Sequence, residues 1–313
     1  MILAEPWATS AAGRAGLAPI DDTCRVPAPI DLLRSSRAAG FLFSGGSARC
    51  VFQVGVLETL RELGIRPAMT LGVSAGAWNA AAVSAGRDDQ LRGYWRFFTR
   101  MPYLDLRNLA REHSPFIWSR LHHRAFHRYI GNERLRSPDA IPTLIALTRL
   151  RDRAPVLFEL QHSADPLKLL LGSNYLPPFY THPLTLDGER YGDGGFSDNF
   201  PYEELFARGC DAVVIIACKG ESEGGLNRSS EDFEHEIPES YRDRVVVIRP
   251  RHRMPLSFVE RRWEKLKPIA DLGALRAREV LLDERHPATD LVAARTALSV
   301  HYARMRRWVR RAR

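Results

Sequence analysis

The chain has no apolar run close to the ~18 residues that a membrane-spanning helix needs, so no transmembrane segment is expected. Its four cysteines, Cys24, Cys50, Cys210 and Cys218, show neither a CxxC pair nor zinc-ligand spacing. That argues against a disulfide framework and for reduced thiols in a cytoplasmic protein. The opening Met-Ile-Leu-Ala-Glu-Pro lacks a basic n-region and a continuous apolar h-region, which predicts no secretory signal. No Gly-Lys-Ser/Thr follows a glycine loop, which argues against a nucleotide phosphate loop. His123 and His127 are spaced i, i+4, but no HExxH glutamate lies between them and no acidic third ligand is evident. No metal and no cofactor are therefore expected. Acidic residues are also short, 37 against 45 basic for a net charge of +8. Six arginines, Arg304, Arg306, Arg307, Arg310, Arg311 and Arg313, stand in the last ten positions, and the rest is close to neutral. The basic balance thus describes a tail, and no nucleic-acid partner is expected.

What is present is a chain of 313 residues, 45% hydrophobic, enough for one large or two modest cores. Residues 40–86 organise it. Gly40–Phe43 reads as a short strand ended by Ser44-Gly45-Gly46, and Val51–Leu63 as a helix stopped by Gly64 and Pro67. Ala68–Leu71 reads as a second strand, and Gly72-Val73-Ser74-Ala75-Gly76 leads into an Ala-rich helix over 77–85. Two strand–loop–helix units in this span predict a parallel βαβ core with a right-handed crossover.

Gly72-x-Ser74-x-Gly76 is the pattern of a serine on a tight strand-to-helix corner. Crowding by backbone there requires glycine, and the helix start favours negative charge near the serine oxygen. Alone the pattern arises by chance in about one such chain in ten, given Gly and Ser each near 7% of residues. Its place between an apolar strand and a small-residue helix makes it informative. The alternative is an ordinary βα turn. Ser44-Gly45-Gly46-Ser47-Ala48-Arg49 can supply backbone N–H donors for an oxyanion. A dinucleotide fingerprint would need glycine where Ser47 and Cys50 stand.

Residues 87–141 are aromatic-rich and read as a helical insertion, with His122, His123 and His127 on a basic helix face, solvated or phosphate-facing, together with Arg120, Arg124 and Arg128. Thr143–Leu147 and Pro155–Leu160 read as strands, Asp165–Leu171 as a short helix, and Pro183–Leu186 with Glu189–Gly192 as a hairpin turning at Asp187-Gly188. Asp193-Gly194-Gly195 follows at once, where a second hairpin turn is the bland reading. A carboxylate at a strand end beside glycines also suits a residue that reaches another element. Tyr202–Ala207 reads as a helix, and Asp211–Cys218 and Val245–Ile248 as strands, the former covered on both faces. Residues 221–239 read as a loop, and 256–282 and 288–309 as helical. Residues 1–36 form an expected N-terminal extension and 37–313 an α/β domain, with the insertion near 87–141 and C-terminal helices near 256–313. The arginine-rich end, with Trp308, reads either as a solvated face or as a peripheral contact to anionic lipid headgroups.

Taken together, Ser44–Arg49, Gly72–Gly76, Gly172-Ser173-x-x-x-Pro177 and Asp193-Gly194-Gly195 with Asp198, Asn199 and Pro201 resemble the patatin-like phospholipase family over about residues 38–250. The resemblance implies a three-layer α/β/α fold with a mainly parallel sheet, and cleavage of lipid acyl esters by a Ser–Asp dyad without a catalytic histidine. Carried over, Ser74 is the nucleophile and Asp193 its base. Gly46 and Ser47, with Gly45, supply oxyanion N–H groups, and Arg49 stands nearby. Gly72, Gly76, Gly194 and Gly195 complete the motifs. Two positions depart from the family, which usually has glycine where Ser47 and Cys50 stand. If position 47 needs φ > 0, serine is strained there.

Two other readings stay open. An α/β-hydrolase would use a Ser–Asp–His triad with His286 or His301, although the glycine loop lies only about 28 residues before Ser74. A catalytically silent lipid-binding or scaffold homologue would keep the fold and lose the chemistry, a reading that the Ser47 and Cys50 departures keep alive.

Overall fold

The computed structural model describes residues 28–220 and 233–284. Eight strands form one sheet: β1 (Ala39–Phe43), β2 (Met69–Val73), β3 (Thr143–Arg149), β4 (Pro155–Glu159), β5 (Leu184–Leu186), β6 (Glu189–Asp193), β7 (Ala212–Ile216) and β8 (Val245–Ile248). Hydrogen-bonded pairing runs β5-β6-β3-β2-β1-β7-β8, with β4 on the edge of β3 opposite to β2 and β6. The β3-β2-β1-β7-β8 segment is parallel throughout. The hairpin β5-β6 and strand β4 run antiparallel to β3 or to each other.

Strand β1 is central and every residue of it is buried. Its side chains alternate between two cores because successive residues of a strand point to opposite faces. Phe41 and Phe43 join Val214 and Ile216 beneath the large helical layer, which includes helices Phe52–Glu62, Ala75–Ser84 and Trp263–Leu282. Leu42 joins Val213, Ile215, Phe200 and Leu205 on the opposite face. That second layer is thinner, built on helix Glu203–Ala207 and the loop before it, with Phe206 stacked on Tyr241 at 4.6 Å. The result is a mixed α/β fold with helices on both sides of a mostly parallel sheet.

Two helices of the large layer touch backbone to backbone. A Cβ on Gly55 would lie 1.8 Å from the Ala270 carbonyl oxygen, and one on Gly273 would lie 2.0 Å from that of Phe52. Only the absence of a side chain at both positions permits this approach.

Several boundaries differ from the sequence reading, each for a local reason. The helix expected from Val51 begins with a 3-10 turn, Ser47–Val51, because the glycine loop feeds it at a tighter pitch. The helix expected over 256–282 begins only at Trp263. Leu256 to Arg262 instead cross the site as irregular chain, held where Glu260 accepts from the backbone N–H groups of Arg261 and Arg262. Within the expected loop 221–239 there is one short helix, Phe233–Glu236, and a second starts at Glu239. Helix Pro29–Ser35 buries Ile30 and Leu33, so that part of the expected extension packs onto the core. The Asp187-Gly188 turn has positive φ at both residues (49° and 80°), as a two-residue hairpin requires. Cys24, His286, His301, Trp308 and the terminal arginines lie outside the described residues, as does the expected helix 288–309.

Candidate active site

Strand β3 brings the two key motifs together. Along one edge it pairs first with β2, Val73 lying opposite Ala146, and then with β6, Asp193 lying opposite Leu147, while β4 takes the other edge. Ser74 follows β2 directly and Asp193 ends β6, so residues 119 apart in sequence meet where the two strand ends abut along that edge. Ser74 Oγ donates to Asp193 Oδ2 at 2.5 Å. Ser74 sits at φ 54° and ψ −130°, a conformation costing about 1–3 kcal/mol that surrounding structure must impose. The imposition is visible. A Cβ on Gly76 would lie 2.4 Å from the Phe43 carbonyl oxygen, and one on Gly72 would lie 2.4 Å from the Ala77 Cα. Ser74 N–H also donates to Ser173 Oγ at 2.9 Å, and that hydroxyl in turn donates to the Ala146 carbonyl at 3.3 Å.

The Asp193 carboxylate is similarly fixed. Its Oδ1 accepts the Gly195 N–H at 2.8 Å, and its backbone carbonyl accepts the Thr148 hydroxyl at 2.8 Å. Gly194 has no room for a side chain, since its Cβ would fall 2.5 Å from the Ala146 carbonyl oxygen. The side chain is buried, and burial pushes the carboxyl up to about 7 against the downward pull of the Ser74 and Gly195 hydrogen bonds. A carboxyl of this affinity accepts a proton near neutral pH far better than an exposed aspartate.

The glycine loop lies alongside. Gly45 N–H donates to Asn199 Oδ1 at 2.7 Å, so Gly45, expected among the oxyanion donors, is already engaged. The N–H groups of Gly46 and Ser47 make no hydrogen bond among the described residues. Ser47 has φ 53°, the left-handed region that favours glycine, and its hydroxyl donates to the Phe258 carbonyl at 2.6 Å. That bond offsets a backbone cost of about 1–2 kcal/mol. Cys50 is buried with its Sγ 3.5 Å from Cys218 Sγ and 3.4 Å from the Ser44 carbonyl oxygen. A glycine there would leave that space unfilled.

A cavity of about 110 Å³ opens beside these groups. Of the expected site residues, Ser47, Ser74 and Asp193 line it; Gly45, Gly46 and Arg49 do not. The 3-10 turn explains Arg49: at three residues per turn it is carried about 120° round from Ala48, which does line the cavity. Much of the remaining wall is aromatic, including Trp78, Tyr94, Trp95, Phe98 and Trp118. The expected insertion thus supplies both packing and cavity lining. His122 also lines the cavity and not a solvated face: its Nδ1 bonds the Trp118 carbonyl and its ring lies 4.5 Å from that of Trp78. Burial pushes its imidazole down to about 4. His123 and His127 are exposed on the same helix, so the three do not converge.

Sequence reasoning missed a buried polar relay behind the site. Gln53 Nε2 donates to the Ser44 and Ile216 carbonyls (2.9 and 3.1 Å), and Asn79 Nδ2 donates to Gln53 Oε1 at 2.7 Å. Trp95 Nε1 then donates to Asn79 Oδ1 at 3.1 Å, tying the glycine loop to the cavity wall. The available signal was a lone polar residue in an otherwise apolar first turn (Gln53) and in an alanine run (Asn79).

The family model for patatin-like phospholipases matches residues 41–206, more than half of the chain. The chain belongs to the patatin-like phospholipase family. It is 27% identical over 185 residues to the uncharacterised protein YjjU of Escherichia coli (strain K12), covering 55% of this chain and 49% of YjjU. It is 22% identical over 195 residues to lysophospholipase NTE1 of Saccharomyces cerevisiae (strain ATCC 204508 / S288c), covering 58% of this chain and 11% of NTE1. The chain therefore spans about half the length of one of these relatives and about a tenth of the other. Among solved structures, VipD from Legionella pneumophila aligns over 80% of this chain and 68% of its own, with 13% identity and a TM-score of 0.47. ExoU of Pseudomonas aeruginosa, solved in complex with SpcU, aligns over 80% of this chain and 54% of its own, with 17% identity and a TM-score of 0.42. Membership supports lipid acyl hydrolysis at the level of the family. Among the described residues no helix is long and apolar enough to cross a membrane.

Proposed function

We propose that this protein is a serine acyl hydrolase that cleaves acyl esters of lipids, phospholipids among them, through Ser74 and Asp193. The observation that carries the reading is the 2.5 Å bond from Ser74 Oγ to a buried carboxylate raised to about 7, at the edge of an aromatic cavity. A serine hydroxyl is a weak nucleophile and needs a neighbouring base. Asp193 takes the hydroxyl proton as Oγ attacks the ester carbonyl, and the N–H groups of Gly46 and Ser47 receive the oxyanion. One such donor is worth about 3 kcal/mol in comparable sites. Asp193 returns the proton to the departing alcohol and then activates the water that releases the acyl group. The apolar wall accommodates the acyl chain.

A fluorophosphonate probe tests this directly. The parent is expected to label at Ser74 and to hydrolyse a short-chain p-nitrophenyl ester. Ser74→Ala should abolish both, and Asp193→Asn should lower turnover by at least about a hundredfold, the lower end of a general base's contribution. Retained hydrolysis in Ser74→Ala sinks the proposal, and an unlabelled, inactive parent favours a silent homologue. Single His252, His286 and His301 substitutions should leave activity in place, whereas complete loss at His286 or His301 favours a Ser–Asp–His triad.

A further inference from the structure

Among the described residues the three most exposed large apolar side chains are neighbours in the chain. Leu106 is 76% exposed, Leu104 49% and Leu109 48%, all within one short excursion of the chain. Leu106 and Leu109 stand three apart across a 3-10 turn and the helix start that follows it, so they share a face. Nothing among the described residues covers them, and a soluble surface gains nothing by displaying three neighbouring leucines.

The same excursion borders a groove of about 340 Å³ lined in part by Leu104, Asp105, Arg107, Arg120 and Arg124. Arg107 bonds Asp105 but keeps a side chain 92% exposed, and Arg120 donates to Asn108. Three guanidinium groups thus face one carboxylate. Over residues 96–128 the sequence carries seven arginines against two acidic residues. Apolar tips set in a basic surround match the polarity profile of an anionic lipid interface, with tails below and phosphates at the rim.

Continuity with the cavity adds direction. Leu104 bridges to Phe116, whose ring lies 4.8 Å from Phe179, which lies 5.5 Å from the half-exposed Phe258. Phe179 and Phe258 both line the cavity. Ser114 Oγ donates to the Pro178 carbonyl at 2.6 Å, fastening the excursion to the cavity rim.

We propose that Leu104, Leu106 and Leu109, with the groove of Arg107, Arg120 and Arg124, form a docking face for an anionic phospholipid bilayer. The leucines enter the acyl region, the arginines hold phosphates, and the aromatic strip leads a lipid chain from the membrane to the cavity. The purpose of this face rests on the acyl-hydrolase reading, but its binding is measured without turnover. A second copy of the chain is the competing occupant. It is disfavoured because the arginines of one copy would meet those of the other wherever the faces stacked.

The test is co-sedimentation of the full chain with phosphatidylcholine vesicles, with and without phosphatidylglycerol. The parent is expected to bind the anionic vesicles preferentially. Leu106→Asp/Leu109→Asp should lower that partition by about tenfold or more. Arg107→Glu/Arg124→Glu should remove the preference for phosphatidylglycerol. Both variants should keep parental fluorophosphonate labelling and hydrolysis of a soluble short ester, since neither pair lines the cavity. Unchanged partition in both variants overturns the proposal, as does partition that vanishes only when residues 304–313 are removed. A dimeric parent made monomeric by the leucine substitutions overturns it in favour of a second copy. If the parent binds vesicles but labels with no probe, the hydrolase reading fails and the docking face stands.

Discussion

The cavity has two halves built on different principles. The sheet side, with Ser47, Ser74 and Asp193, is positioned by backbone: strand register, left-handed φ values at two serines, and glycines with no space for a methyl group. The cap side, with Tyr94, Trp95, Phe98, Trp118 and His122, is positioned by side chains packed ring against ring. Backbone placement tolerates almost no substitution, because carbonyls and Cα atoms in a sheet cannot move aside. Ring packing tolerates trimming, because neighbours can shift and the cavity can enlarge. The first half is thus suited to fixing reacting atoms and the second to setting what fits against them.

The sharpest way to break that contrast is a single methyl group. Gly76→Ala places a Cβ 2.4 Å from the Phe43 carbonyl oxygen. It should cost more than about 4 kcal/mol, the range reserved for core overpacking joined to backbone strain. Phe98→Ala, which removes far more mass from the cap, should cost only about 2 kcal/mol because the side chain is partly exposed already. It should shift preference toward longer acyl esters, read from KM along a chain-length series. Urea melts of both variants check the ordering; equal losses would erase the distinction between the two halves.

The next test uses Asp193 and carries a sign. The folded protein holds this proton up to about pH 7, while the unfolded chain releases it near ~3.9. The native state therefore has this contribution in full below about pH 4 and loses it as pH rises through about 7. Asp193→Asn should accordingly be more stable than the parent at about pH 8, by up to about 4 kcal/mol, with the advantage gone near pH 4. The parent's kcat/KM should rise with pH through about 7, as the base ionises. Denaturation midpoints across pH and a pH–rate profile measure the two together. A less stable asparagine variant at pH 8 would mean that the carboxylate is well solvated.

The smallest effect belongs to Ser47. Ser47→Gly relieves a left-handed φ of 53° but forfeits the 2.6 Å bond to the Phe258 carbonyl. Each contribution is about 1 kcal/mol, so stability should change by less than about 1 kcal/mol. A larger loss would show that the serine, and not the loop, holds the 258 segment over the cavity.

The contrast also explains what could be read in advance. The βαβ core, the tight corner at Ser74, the hairpin at Asp187-Gly188 and the strand leading to Asp193 all leave short-range marks. Glycines, alternation and turn residues act within a few positions of where they stand. The cap leaves almost none. Whether Trp118 or His122 faces solvent, core or cavity depends on which residues arrive from elsewhere, such as Trp78 from the serine helix. The reassignment of His122 from a basic face to the cavity wall is of this kind. So is the capture of the Gly45 N–H by Asn199, 154 residues away, and so is the irregular path of residues 256–262.

The linear order of residues determined the apolar core strands, the turns and the crowding of Gly72 by Ala77, because those constraints are local and steric, whereas Gly76 is crowded by the Phe43 carbonyl that the sheet brings to it. Only the tertiary structure decided that β2 and β6 end against each other along one edge of β3, and hence that Ser74 meets Asp193. It also decided how dry that carboxylate is, since a pKa depends on every atom that displaces water around it, whatever its distance along the chain.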